Sequence, residues 1–140
     1  MSTAAADAGA ALIDTSVVVA SLDPDEPHHL ACDRTLAAGG HTLYVHALAE
    51  TFAILTGGRQ GRRLHPAAAT ALIRESVLPY VRLMSLTGKE VLSALDRAHS
   101  RGVRGGAVYD LLHLAAANKA GAHRAADAGR TRLPGPGAAR

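Results

Sequence analysis

Apolar positions along this chain come in short blocks whose spacing alternates between a strand-like and a helix-like period. Residues 10–14 are an apolar run that ends in Asp14, and they predict a short buried strand. Residues 16–22 turn into a helix, and Asp23-Pro24-Asp25-Glu26-Pro27 breaks the chain. The stretch from His28 to Ala38 reads as helical, with Leu30, Leu36 and Ala37 loosely on one face and Gly39-Gly40 as its stop. Thr42 to Val45 predicts a second strand, and Leu48, Phe52 and Leu55 set a helical period over His46 to Thr56. A proline suits the first helical position, so Pro66 opens a helix that runs to about Val77. Tyr80 to Met84 reads as a third strand. Thr87-Gly88-Lys89-Glu90 has the T-x-x-E pattern of a capping box and starts a helix to about Ser100. After the glycine-rich stretch Gly102 to Gly106, a further helix spans about Ala107 to Ala120 and stops at Gly121. Ala122 to Ala126 reads as a fourth, short strand, and the proline- and glycine-rich residues 129–140 as a disordered tail.

Strands that alternate with helices predict an α/β domain with a mostly parallel sheet. Composition agrees with this. The chain has 140 residues, 48% of them hydrophobic, with no tryptophan and one phenylalanine. One core of small aliphatic side chains is expected, over residues 10–128, behind a loose leader at residues 1–9. Cys32 is the sole cysteine, which excludes an intrachain disulfide and points to a cytoplasmic protein. The run Val17 to Leu22 is too short to span a bilayer, so no membrane role is expected. Charge changes the picture locally. The net value is +3, but from Arg97 onward there are eight basic residues and two acidic ones, which suits a polyanionic partner, although charge alone favours a solvated arginine-rich surface.

Candidate chemistry follows from where the isolated acids fall. Leu12-Ile13-Asp14-Thr15-Ser16-Val17-Val18-Val19 puts a carboxylate and two hydroxyls inside an otherwise apolar run. An unpaired carboxylate is costly to bury, so Asp14 belongs where the strand ends and water begins, or beside a cation. Glu50 lies near the start of the helix after the second strand, Asp110 in the first turn of the helix after the glycine-rich stretch, and Asp127 just past the fourth strand. In a parallel sheet, strand ends and helix starts share one edge, and ligands bind there. Carboxylates gathered at that edge repel unless a hard cation such as Mg²⁺ or Mn²⁺ joins them, and such a site favours phosphodiester hydrolysis by water. Ser16 would order the Asp14 carboxylate or a water, and Thr15 would bond the backbone; each is equally a helix cap. Taken singly, Glu50 and Asp110 equally suit first-turn acids that complement a helix dipole. Arg59, Arg62 and Arg63 lie in a glycine-rich basic loop that could hold RNA phosphates, and a solvated loop explains them equally well.

Three segments resemble PIN domains, and among them the VapC-type toxin ribonucleases of bacterial toxin–antitoxin pairs. They are "LIDTSVVVASLDPDEPHH", "LYVHALAETFAIL" and "GAVYDLLHLAAANKAGA". The resemblance implies a three-layer α/β fold with a central sheet of four to five strands between helices. It implies a metal-dependent endoribonuclease that uses Mg²⁺, with Mn²⁺ as a substitute, held by Asp14, Glu50, Asp110 and Asp127. It also implies an RNA substrate, a homodimer, and a VapB-type antitoxin whose C-terminal segment blocks the site. The chain departs from the family pattern at its end, where Ala122 to Arg130 lacks the apolar strand, the threonine before the acid and the aromatic after it. The alternative reading is a degenerate PIN scaffold that binds RNA or its antitoxin without cutting.

Other features carry less. His28 and Cys32 share a helix face, but a zinc site needs about four ligands and no second pair lies nearby. His113 reads as a partly buried helix histidine. Gly102 to Gly106 fits neither a dinucleotide fingerprint nor a P-loop. Leu48, Phe52 and Leu55 read as core.

Overall fold

A computed structural model describes residues 12–58 and 63–131, with side chains as far as Gly121. In chain order the elements are β1 (Leu12–Ile13), α1 (Thr15–Leu22), α2 (His29–Ala37), β2 (His41–Tyr44), α3 (His46–Thr56), α4 (Pro66–Ser76), β3 (Val81–Met84), α5 (Gly88–Asp96) and α6 (Ala107–Thr131). Short 3₁₀ turns at Leu78–Tyr80 and His99–Arg101 lead into β3 and away from α5. The three strands form a sheet in the order β1-β2-β3. Both pairings are parallel, with Ile13 opposite Leu43 and Tyr44 opposite Met84. All strands therefore end at one edge, where Asp14 and His46 begin the next elements. Val45 ties that edge together by donating its N–H to the carbonyl of Met84, at 2.8 Å.

The core forms where these strands meet α1, α2, α3 and α4. Ile13, Val18, Leu36, Leu43, Ala47, Ile73 and Val77 are buried together, and Leu22, Leu48, Phe52, Leu55 and Val81 pack against them. No aromatic ring belongs to this buried cluster; Tyr44 is buried outside it. Small aliphatic side chains and fully buried alanines (Ala47, Ala69, Ala94, Ala116) let the helices approach closely. The stripe Leu48, Phe52 and Leu55 is core, as its spacing predicts.

Local chemistry sets the element ends. Gly39 and Gly40 hold φ of 72° and 75°, a left-handed backbone that reverses the chain between α2 and β2. Pro66 opens α4 behind His65, whose ring accepts from the Ala67 N–H. At α5 the capping box is complete: Thr87 Oγ1 accepts from Glu90 N–H at 3.2 Å, and Glu90 Oε2 accepts from Thr87 N–H at 2.7 Å. Lys119 on α6 donates to the same Glu90 oxygen at 2.8 Å, which fastens α6 to α5. The Lys119 hydrogen bond and then that of the Thr87 N–H hold the Glu90 carboxyl below its ordinary range.

Three expectations are corrected. Residues 122–126 are not a strand, because α6 continues through them to Thr131. The segment Ala122-His123-Arg124-Ala125-Ala126 has no β-branched residue and three alanines, so helix propensity prevails and Gly121 does not interrupt it. Three strands are thus found among the described residues, where four to five were expected. The segment from 129 onward is helical as far as Thr131, not a tail from its first residue. The helix after Thr87 ends at Asp96, and a 3₁₀ turn replaces its expected last turn.

Two substitutions check this account. Leu43 is fully buried at the centre of the sheet, so Leu43→Ala should lower unfolding free energy by about 2–5 kcal/mol in urea denaturation. Thr87→Ala removes one half of the capping box and should cost about 1 kcal/mol in the same experiment.

Candidate active site

The strand-end edge is where β1 gives way to α1. Asp14 is the N-cap of α1, with extended backbone angles, yet its side chain makes no capping bond. Its carbonyl accepts from Val17 and Val18, so the backbone of the turn is satisfied without the carboxylate. The carboxylate instead accepts from the Ser16 hydroxyl at 2.9 Å and is exposed. Ser16 thus bonds the Asp14 carboxylate, and the N-cap position belongs to Asp14. Thr15 does not bond the backbone. Its side chain is buried, and its Oγ1 donates across to Glu50 Oε2 at 3.4 Å.

Glu50 lies in the second turn of α3, which has no acid in its first turn. The dipole role weighed for it therefore has no basis, because that effect fades beyond the first turn. Its other oxygen, Oε1, accepts from His113 Nε2–H on α6 at 2.5 Å, and His46 Nε2 lies 3.5 Å from it. A carboxylate can only accept, which assigns the His113 proton to Nε2. Glu50 thus joins α1, α3 and α6 through Thr15, His46 and His113. Buried Tyr44 completes the cluster with its ring edge-on to His113, centroids 5.1 Å apart. Burial and, next, the charge of Glu50 push the Tyr44 hydroxyl above its ordinary pKa of 10.0.

Asp110 is in the first turn of α6 and exposed. Among the described residues no hydrogen bond or ion pair holds its side chain. It follows Tyr109, whose ring stacks on His46 with centroids 5.0 Å apart and planes 8° from parallel. The Asp127 side chain lies outside the described residues, as do Arg59 and Arg62. Arg63 is described and exposed. The structure thus joins Glu50 to the residue beside Asp14 and to the helix that carries Asp110, and leaves Asp14 and Asp110 open to solvent.

Exposed carboxylates with no capping or ion-pair duty are donors of the type a hard divalent ion takes. Among the described residues, however, no three His, Cys, Asp or Glu side chains form a group that could hold an ion. Sequence reasoning did not single out His46 and Tyr109. The signal lay in two i, i+4 pairs, His46 with Glu50 and Tyr109 with His113, one on each of two helices that meet.

The model of the PIN domain family matches residues 11–127. The chain belongs to the PIN-domain family, and its relatives place it in the VapC type. It is 36% identical over 114 residues to Ribonuclease VapC27 of Mycobacterium tuberculosis, a match that spans 81% of this chain and 78% of that protein. It also resembles the crystal structure of Mycobacterium tuberculosis VapC20, a sarcin–ricin loop cleaving toxin. That likeness has a TM-score of 0.61 and 26% identity and covers 80% of this chain and 84% of the other. The family match includes the β1–α1 turn of this PIN domain. No helix among the described residues is long and apolar enough to cross a membrane.

The cluster makes a prediction about alkaline stability. The folded state prefers Tyr44 neutral, so the stability it contributes is fully present below pH 10 and is lost as pH rises through the raised folded-state value. In urea denaturation between pH 9 and 11.5, Tyr44→Phe should lose less stability than the parent protein.

Proposed function

We propose that this PIN domain is a metal-dependent endoribonuclease toxin that hydrolyses RNA phosphodiester bonds. The observation that carries the reading is Asp14: an N-cap carboxylate that does not cap, held by Ser16 and open to solvent at the strand-end edge. The relatives supply the reaction class, since one is a ribonuclease and another cleaves the sarcin–ricin loop. Asp14, Glu50 and Asp110 would hold Mg²⁺ or Mn²⁺, with Asp127 as a fourth donor. A bound ion supplies Lewis-acid polarisation of a phosphoryl oxygen. The chain's own residues do the rest. Ser16 fixes the Asp14 carboxylate, and Thr15 and His113 fix Glu50. Arg63, with Arg59 and Arg62, meets the phosphates of the RNA. Water is the nucleophile, so no covalent enzyme intermediate forms. The partners of this reading are an RNA substrate, a second copy of the chain and a VapB-type antitoxin, in the cytoplasm.

One observation favours the rival reading, a scaffold that binds RNA or its antitoxin without cutting: the described acids do not already form a group of three. Cleavage of a sarcin–ricin hairpin RNA with Mg²⁺, Mn²⁺ or chelator decides between the two. The nuclease reading expects cleavage with either ion and none in chelator. Asp14→Asn and Asp110→Asn should each reduce the rate by at least about 10²-fold while thermal unfolding is unchanged. Full activity in either variant would remove that residue from the site. Binding of RNA with no cleavage under any ion would favour the scaffold. In RNA binding, Arg63→Ala should weaken affinity and reduce the slope of log affinity against log salt by about one.

A further inference from the structure

We propose that Tyr109 is a stacking platform for one unpaired nucleobase of the RNA, built as the outer ring of a pile on His46. This rests on the ribonuclease reading and extends it to how the substrate is gripped.

The geometry comes from two helices. His46 opens α3 and lies against Glu50; Tyr109, in the first turn of α6, lays its ring almost parallel to the imidazole. His113, one turn further along α6, meets both Tyr44 and His46 edge-on, which backs the pile from the protein side. Tyr44 is buried, whereas Tyr109 is 50% exposed even with His46 against it. The pile therefore runs from a closed interior to an open aromatic surface. Single exposed apolar residues need no explanation. This one differs in being held at a fixed tilt by a second ring, one residue from Asp110 and across the cluster from Glu50.

An aromatic ring fixed in this way suits RNA. Proteins that read RNA chiefly take bases splayed out of helices and stack them on Phe, Tyr, Trp or His. Phosphate contacts alone do not hold a flexible strand at one nucleotide. A base seated on Tyr109 would set the register of the strand beside the carboxylates and leave the phosphates to Arg63. Stacking accepts any base face, so the platform contributes affinity and register more than base identity.

The test separates stacking from charge. Single-stranded oligoribonucleotides bind the full chain in chelator, which prevents cleavage, and fluorescence polarisation reads the affinity. Tyr109→Ala should weaken binding about ten-fold, and Tyr109→Phe should stay within about two-fold of the parent. The salt slope should be the same in all three, because no phosphate contact is lost. An otherwise identical oligomer made abasic should bind the parent about ten-fold more weakly, and Tyr109→Ala should no longer distinguish the two oligomers. Parent-like binding by Tyr109→Ala, or equal penalties for the abasic oligomer in both proteins, would overturn the platform. Thermal unfolding of each variant checks that the fold is kept. If the parent cleaves RNA with Mg²⁺ but Tyr109→Ala binds unchanged, only the platform fails. If the parent neither cuts nor binds RNA, the ribonuclease reading fails with it.

Discussion

The carboxylate of Glu50 is the constraint on which the rest of this site depends. It is only one-third exposed, at 34% of its side chain, and a charge so placed must be met by donors. Thr15 meets it from the start of α1, His113 meets it from α6, and His46 stands beside it on α3. These contacts fix how the end of β1 faces a helix that lies about a hundred residues later in the chain. Both oxygens of Glu50 have partners, and each keeps a further lone pair for a cation. Asp14 precedes Thr15 by one residue and Asp110 precedes His113 by three. The bonded acid therefore sets the positions of the two that are open to solvent.

Much of this was legible in the sequence, and the reasons are local. Asp14 stood out because an apolar run tolerates a charge only at its end, and the strand does end at Ile13. The capping box at Thr87 and the proline start at Pro66 are decided within four residues, and both formed. The parallel sheet followed from alternation alone. What failed was also local in origin. Ala122 to Ala126 reads as a short strand, but its composition favours helix and α6 runs through it. Glu50 suits a first-turn acid in the sequence, but as the fifth residue of α3 it lies just beyond that turn.

The aromatic part of the site was hidden for a different reason. Each helix shows its own i, i+4 pair, but nothing in the spacing says that His46 and Tyr109 will stack. They are joined only when α3 and α6 both pack beside the same strand ends. His113 illustrates the limit. It was correctly read as a partly buried histidine, but its partner, Glu50, is 63 residues away in sequence. Local rules find caps and strand ends; contacts between distant helices come from the packing of the whole core.

Stability and chemistry part company at the N-cap of α1. An aspartate there ordinarily accepts a backbone N–H, worth roughly 0.5–2 kcal/mol. Asp14 instead turns its carboxylate to the Ser16 hydroxyl and to water. Asp110 lies in a first turn, where a dipole role remains open to it, yet no donor among the described residues takes its charge. By contrast Glu90, in the first turn of α5, takes donors from both Thr87 and Lys119 on one carboxylate oxygen. One fold thus contains acids that serve the structure and acids that the structure leaves unused, and the unused ones flank the Glu50 cluster. That division, more than the number of acids, is the physical argument for chemistry at this edge.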